Sequence, residues 1–359
     1  MLYTTDLCDS GCKHCLIWAK RPPVFLSFEH IREIMKSKCI HSSTMIGLEG
    51  GEFLLHPEAD NILSWFSKHH PHFDIFSNSL KPDRLIESVQ RNKPRRLYIS
   101  LDGNEETYLY MRGKNGYQDV LKVISALKDH VPIFVMFTLS PYNDFEDLEH
   151  VAEICKQNNA FLRVGIYNNI PFFDTIENAR KVFFGEAKNK ELLKFSTAKQ
   201  LQLEKQNSTE VLEQPAEPIA PDDYHQQIPG NIRAFAENYD YVSLYPNWLE
   251  GNLRLTCNSI MDSLIILPDG SVPICQNLDL KLGNVFEKSL DEIFNGEASI
   301  HTQQHYSKNC NQCWISYHRK YDIALYKNFE KLFGRTATSK LLGYYKWNSE
   351  EQPYKEAVG

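Results

Sequence analysis

The sequence predicts an α/β fold: a partial (β/α)6 barrel, open at one side, followed by a small module made of a β-hairpin and a helix. Three observations carry this. Short apolar runs of strand length alternate with helical periods across residues 1–167, the pattern of a parallel sheet with right-handed crossovers. The alternation repeats about six times, too few to close an eight-stranded TIM barrel but enough for an open, TIM-like one. Beyond residue 250, Asp269-Gly270 lies between two apolar stretches, which is a hairpin signal.

Taken in order, residues 2–6 form the first apolar run, and Ser27 caps a helix whose Phe28, Ile31, Ile34 and Met35 share one face. Thr44-Met45-Ile46-Gly47-Leu48 reads as a buried parallel strand, and Pro57 opens a helix through Ile62, Leu63 and Phe66. The series continues with strands at 73–77, 96–101, 132–138 and 161–166 and helices at 81–91, 116–129 and 144–157. Residues 168–250 break it: 188–214 is charged and helix-compatible, and Pro215-Ala216-Glu217-Pro218-Ile219-Ala220-Pro221 reads as an extended connector. The expected organisation is a core at 1–167, a bridging region at 168–250, a second module at 251–320 and a tail at 321–359, with a helix from about Arg319 to Phe333.

Composition narrows the partners. With 42% hydrophobic residues the chain has the material for a large core, and 46 acidic against 39 basic residues give a net charge of −7 without a basic run. A nucleic-acid substrate is therefore not expected. The N-terminus lacks a charged and an apolar signal region, and no run of about 18 apolar residues occurs, so no membrane association is expected and the location expected is cytoplasmic. Seven of the nine cysteines fall into two groups, and a reducing compartment suits thiolate ligands better than disulfides. Cys39 and Cys155 remain outside them and read as packing residues.

The chemistry is concentrated in Cys8-Asp9-Ser10-Gly11-Cys12-Lys13-His14-Cys15, which puts three thiols on one short loop. Three is one fewer than a closed zinc site or a fully ligated four-iron cluster needs, so an open coordination position follows. A zinc knuckle with His14 or His41 as fourth ligand is the competing reading. Gly50-Gly51-Glu52 ends the second strand, where glycines let backbone approach a ligand and a carboxylate can hold an ammonium group. Farther on, Cys257, Cys275 and the pair Cys310-x2-Cys313 supply four thiols for one closed site, which suits zinc and iron-sulfur alike.

Cys-x3-Cys-x2-Cys with aromatic His14 before the last Cys resembles the signature loop of the radical S-adenosylmethionine (radical SAM) enzymes. The resemblance implies that Cys8, Cys12 and Cys15 hold a [4Fe-4S] cluster whose free iron takes the amino and carboxylate groups of SAM, and that reduction cleaves SAM to a 5'-deoxyadenosyl radical. It also implies a partial barrel. Gly50-Gly51-Glu52 is similar to the family's GGE motif, which contacts the SAM amino group, although Phe53 replaces the usual Pro. Ser77-Asn78-Ser79 stands where relatives carry Thr-Asn-Gly and makes Asn78 or Ser79 a SAM contact. Ser100-Leu101-Asp102-Gly103 and Arg112-Gly113 resemble further family segments, with Ser100 and Asp102 for hydroxyls and Arg112 for the SAM carboxylate. Thr138 and Asn143 are lesser candidates.

The second cysteine group, with Leu282-Gly283-Asn284-Val285 and the following helix, resembles the SPASM and Twitch extensions of that family. Four cysteines imply one auxiliary [4Fe-4S] cluster, suited to accept an electron in a net oxidation. An external one-electron reductant such as flavodoxin or ferredoxin is implied as a partner. For the substrate, the cysteine loop starting at residue 8 leaves no room upstream for a leader-peptide domain, which tilts the expectation toward a small polyol, sugar or cyclitol. Peptide maturation is the alternative substrate reading, and a zinc-binding interaction protein the alternative outside catalysis.

Overall fold

The computed structural model describes residues 1–140, 142–167, 236–249, 253–278, 280–311 and 313–345. Its centre is a parallel sheet in strict sequence order: β1 (Leu2–Thr5), β2 (Ile46–Gly50), β3 (Phe73–Ser77), β4 (Arg96–Ser100), β5 (Ile133–Leu139) and β6 (Phe161–Ile166). The crossovers carry α1 (Phe28–Ile34), α2 (Ala59–His69), α3 (Pro82–Asn92), α4 (Glu105–Arg112), α5 (Tyr117–Leu127) and α6 (Phe145–Gln157). β1 and β6 end the sheet without pairing to each other, so the barrel is partial, as the sequence predicts.

Alternate strand residues enter the core on the helix side, among them Ile46, Leu48, Phe73, Ile75, Leu97, Ile99, Val135, Phe137, Leu162 and Val164. The residues between them give the concave side its character. Phe76, Tyr98, Phe134 and Phe161 stack in a row across β3 to β6, with successive centroids 4.4, 5.0 and 4.7 Å apart. Asp74 takes Arg96 at two nitrogens, 3.0 and 2.6 Å away. A charged pair and a row of stacked rings thus line the concave side in place of aliphatic packing.

Helix α4 is absent from the sequence reading. Asn104 caps it, accepting from the Glu106 and Thr107 amides, and Gly113 ends it in the left-handed region at φ 65°.

The remaining elements are α7 (Ala236–Ser243), α8 (Tyr245–Leu249), β7 (Leu253–Leu255), α9 (Ser259–Asp262), β8 (Ser271–Pro273), β9 (Lys281–Asn284), α10 (Leu290–Asn295), α11 (Glu297–Asn309), α12 (Ser316–Phe333), α13 (Arg335–Leu342) and β10 (Gly343–Tyr345). The readings of 188–214 as helix and 215–221 as connector lie outside the described residues. The predicted turn forms: Gly270 at φ 79° donates to Leu267 O. Leu267 N–H donates across the turn to Ser271 O at 2.9 Å, as expected of a hairpin, but beyond that bond β8 pairs with β9 while residues 264–267 run along β1. There Tyr3 N–H donates to Ile266 O at 2.9 Å and Ile266 N–H to Met1 O at 3.1 Å. An unpaired strand edge costs hydrogen bonds, and the apolar run at 264–267 satisfies one.

A side chain caps the other edge. Asn238 of α7 accepts from Val164 N–H at 3.1 Å and donates to Leu162 O at 2.8 Å, and Tyr241 Oη accepts from Ile166 N–H. Asn238 thus serves β6 in place of a neighbouring strand. Asn238→Ala leaves two buried backbone groups unpaired and is expected to lower unfolding stability by about 2–4 kcal/mol in urea titrations.

Candidate functional site

The cysteine loop leaves the C-terminal end of β1 and is held from outside itself. Gly11 N–H donates to Arg112 O and Lys13 N–H to Met111 O, both at 2.8 Å, so the end of α4 acts as a rail for the loop. Ser10 Oγ also donates to Arg112 O, and Trp18 Nε1 donates to Cys12 O. On the other side Gly51 N–H donates to Thr5 O at 2.7 Å and Glu52 N–H to Leu7 O at 2.8 Å. The approach is so close that a Cβ on Gly51 would lie 2.2 Å from Leu7 O. What the paired glycines admit is therefore the root of the cysteine loop itself.

Glu52 is buried and tied into the strand ends. Its carboxylate accepts from Asn78 N–H at 2.7 Å, from Leu54 N–H at 3.2 Å and from Ser77 Oγ at 3.1 Å. Burial nevertheless raises its pKa to about 7, against the lowering effect of those donors. Asn78 faces the loop, with Nδ2 2.9 Å from Asp9 Oδ1 and 3.9 Å from Cys8 Sγ.

Arg112 and Asp102 pair with each other. The guanidinium meets Asp102 Oδ2 through Nε at 2.7 Å and Nη2 at 2.5 Å, while Nη1 lies 3.8 Å from Cys12 Sγ. Asp102 Oδ1 accepts from Thr138 N–H at 2.8 Å, and Asn143 Nδ2 donates to Asp102 O at 2.9 Å. Ser100 is buried at the end of β4, paired across the sheet with Met136. Two buried polar atoms nearby lack a hydrogen-bond partner, Ser79 Oγ and His14 Nδ1. Ser79 also sits at φ 64°, the left-handed region, where the sequence comparison with Thr-Asn-Gly places a glycine. His41 is exposed, and its amide donates to Thr44 Oγ1 at 2.9 Å.

The loop thiols are desolvated and feel one another. Burial first, then the Cys12 charge, pushes Cys15 up to about 12 and Cys8 higher still. Two of the later cysteines are shifted the same way: burial, then Cys313, pushes Cys275 up to about 12, and Cys257 is raised by burial despite Arg319. Cys257 and Cys275 pack with Ile260 and Ile274 in a small cluster of their own. Among the described residues no three His, Cys, Asp or Glu side chains converge tightly enough to share one metal ion. Cys39 and Cys155 are apart from both groups, Cys155 fully buried and Cys39 against Asp291 and Asn295. A cleft of about 250 Å³ runs between the two regions, lined by Tyr3, Asp6 and Lys20 on one side and Cys275, Gln276 and Lys281 on the other.

The radical SAM superfamily profile matches residues 2–155, and the SPASM iron-sulfur cluster-binding profile matches residues 257–314. The chain is a radical SAM protein with a C-terminal SPASM domain. The sporulation killing factor maturation protein SkfB of Bacillus subtilis (strain 168) is 27% identical over 165 residues, 45% of this chain and 40% of SkfB. AlbA of the same organism, the antilisterial bacteriocin subtilosin biosynthesis protein, is 22% identical over 90% of this chain and 70% of its own length. Streptococcus suis SuiB bound to S-adenosylmethionine superposes with a TM-score of 0.51 at 13% identity, covering 84% of this chain and 66% of SuiB. AdoMet-bound anSMEcpe gives 0.52 at 15% identity, covering 95% and 99%. At these identities the structures speak for the fold alone.

The radical SAM domain brings a [4Fe-4S] cluster and SAM, and the SPASM domain an auxiliary iron-sulfur centre. The donor sets fit them. Burial and mutual repulsion disfavour the thiolate forms of these cysteines, a cost that a cationic iron centre would relieve, and the unpartnered Ser79 Oγ and His14 Nδ1 leave polar contacts for a ligand. Gly51→Ala forces the loop root away from β2, so it is expected to cost about 1–3 kcal/mol of stability and to lower iron uptake, read by denaturation and iron analysis.

Glu49, just before the glycines, is half-buried with Oε2 unpartnered. Burial raises its pKa to about 7, opposed by the Met1 amine, Tyr3 and Arg163. Because the folded value exceeds the unfolded one, the native state holds the extra proton and loses stability as pH rises from about 4.5 to 7. Glu49→Gln is expected to flatten that decline by on the order of 1–3 kcal/mol, measured by denaturant titration across the range.

Proposed function

We propose that this protein is a peptide-maturing radical SAM enzyme that carries out a net oxidation on a precursor peptide. The observation that carries the reading is the likeness to AlbA along 90% of the chain, supported by SkfB. SuiB, a fold neighbour, is also known bound to its precursor peptide SuiA, at a TM-score of 0.50. These relatives favour a peptide over the small polyol or sugar toward which the sequence tilted. The chain spans 40% of SkfB and 66% of SuiB, so their complete activities are not carried over.

In this reading residues 1–167 form the core, 168–250 a bridge, 251–320 the auxiliary domain and 321–359 the tail. Cys8, Cys12 and Cys15 hold the SAM-binding cluster, and Cys257, Cys275, Cys310 and Cys313 hold the auxiliary one. Bound SAM supplies the radical that takes a substrate hydrogen. Glu52 and the Gly50-Gly51 backbone serve its ammonium, while Ser79, His14, Asn78, Ser100, Asp102 and Arg112 surround the rest. The cleft beside Cys275 gives a substrate a place between the two centres, where position decides which C–H bond is attacked. A small electron-transfer protein such as flavodoxin or ferredoxin supplies the reducing electron.

Anaerobically reconstituted protein is expected to hold about eight irons per chain and to cleave SAM after reduction. Cys12→Ala is expected to lose the cleavage. Incubation with a peptide encoded beside the gene is expected to remove a pair of hydrogens, read by mass spectrometry. Turnover of aminocyclitols or sugars with every such peptide untouched would reverse the substrate assignment, and zinc without 5'-deoxyadenosine would remove the enzyme reading.

A further inference from the structure

Arg319 lies in the first turns of α12, six residues after Cys313, and is fully buried. Its guanidinium is held by groups that flank the second cysteine group. Nε donates to Cys313 O at 3.1 Å, Nη1 to Leu255 O at 3.1 Å and to Asp322 Oδ2 at 3.2 Å, and Nη2 to Asn311 Oδ1 at 3.2 Å. Its charge is felt by Cys313, Cys257 and Cys310. Asp322, the carboxylate it meets, is itself committed: Oδ1 accepts from Asn258 N–H and Nδ2 at 3.1 and 3.0 Å. His318 Nδ1 lies 4.0 Å from Cys257 Sγ.

A buried guanidinium beside one carboxylate is costly unless the site it serves repays the lost hydration. Four thiolates give a four-iron cube a net negative charge that grows by one on reduction, and a fixed cation nearby favours the more negative form. We propose that Arg319 is the countercharge of the auxiliary centre, raising its reduction potential, with Asp322 opposing it, so that the centre accepts an electron from the substrate. This rests on the reading of Cys257, Cys275, Cys310 and Cys313 as iron-sulfur ligands. After hydrogen removal the substrate gives one electron to the auxiliary centre and one proton to solvent, which completes a two-electron oxidation.

The competing role is mechanical, because the same hydrogen bonds join the chain near Leu255 to the chain near Cys313. Charge and mechanics separate in a full-length protein carrying Cys8, Cys12 and Cys15→Ala, in which only the auxiliary centre remains. Its midpoint potential is measured by redox titration with EPR detection, alone and with Arg319→Gln, Arg319→Lys or Asp322→Asn added. Arg319→Gln is expected to make the centre at least about tenfold harder to reduce, a fall of about 59 mV. Arg319→Lys is expected to restore most of it, and Asp322→Asn to move the potential upward. Unchanged potentials, or Arg319→Gln and Asp322→Asn moving it the same way, would overturn the inference while leaving the cluster reading intact. Should Arg319→Gln fail to take up iron, Asp322→Asn decides by the direction of its shift. Zinc or no metal in the parent of the series would instead overturn the ligand assignment, and the inference with it.

Discussion

The mouth of the barrel depends on the buried pair between Arg112 and Asp102. Two charges withdrawn from water are poorly compensated unless their remaining hydrogen bonds are met, and removing one partner of such a pair typically costs about 3–5 kcal/mol. Here they are met from three directions. Thr138 of β5 holds one Asp102 oxygen, the Arg112 fork holds the other, and the third guanidinium nitrogen approaches Cys12. The pair fixes the last turn of α4, whose Met111 and Arg112 carbonyls receive Lys13 and Gly11. The conformation of the cysteine loop is thus imposed by β4, α4 and β5, far away in sequence.

The C-terminal region does more than carry a second set of thiols. An open barrel has two free edges, and a free edge invites other chains to pair with it. Residues 264–267 occupy the β1 edge, and Asn238 with Tyr241 occupies the β6 edge. Tyr241 donates in turn to Trp314 O, and Trp314 Nε1 to Tyr241 O, so the β6 edge is coupled to the segment just after Cys313. Arrangement of the second thiol group and protection of the sheet are consequences of the same contacts.

Most of the barrel was legible because each unit stores its signal locally. The strands at 73–77 and 161–166 agree with the observed Phe73–Ser77 and Phe161–Ile166, and the helix at 144–157 needed only Asp144 as its cap. Features set by distant partners were not. The 264–267 run has hairpin periodicity, yet beyond one bond from Leu267 to Ser271 it runs along β1, some 260 residues away. Helix α4 carries a weak apolar stripe, with Tyr108 and Met111 buried and Leu109 and Tyr110 exposed, so its caps are its clearer mark. The motif residues were findable by type, but not their commitments: Glu52 reads as the holder of an ammonium group and is already engaged by three donors, and Arg112 reads as the partner of a SAM carboxylate and is already held by Asp102. Arg319 had no motif to announce it; a buried arginine is visible only once its surroundings exist.

Those commitments bear on how a zwitterionic ligand such as SAM would be received in the proposed site. An ionised carboxylate has about four lone-pair positions, and Glu52 has given them to Leu54, Asn78 and Ser77 with room for one more donor. Its raised pKa records how poorly the buried charge is compensated, and an arriving ammonium would supply what is missing. Arg112 likewise has donors beyond those on Asp102 Oδ2, so a carboxylate need not break the pair that shapes the loop. Ser79 Oγ and His14 Nδ1 complete the account, since an unpaired buried polar atom costs about 1–3 kcal/mol until something pairs with it. A ligand of both charges would therefore complete this network without dismantling it, and the fold can hold the site's shape before the ligand arrives.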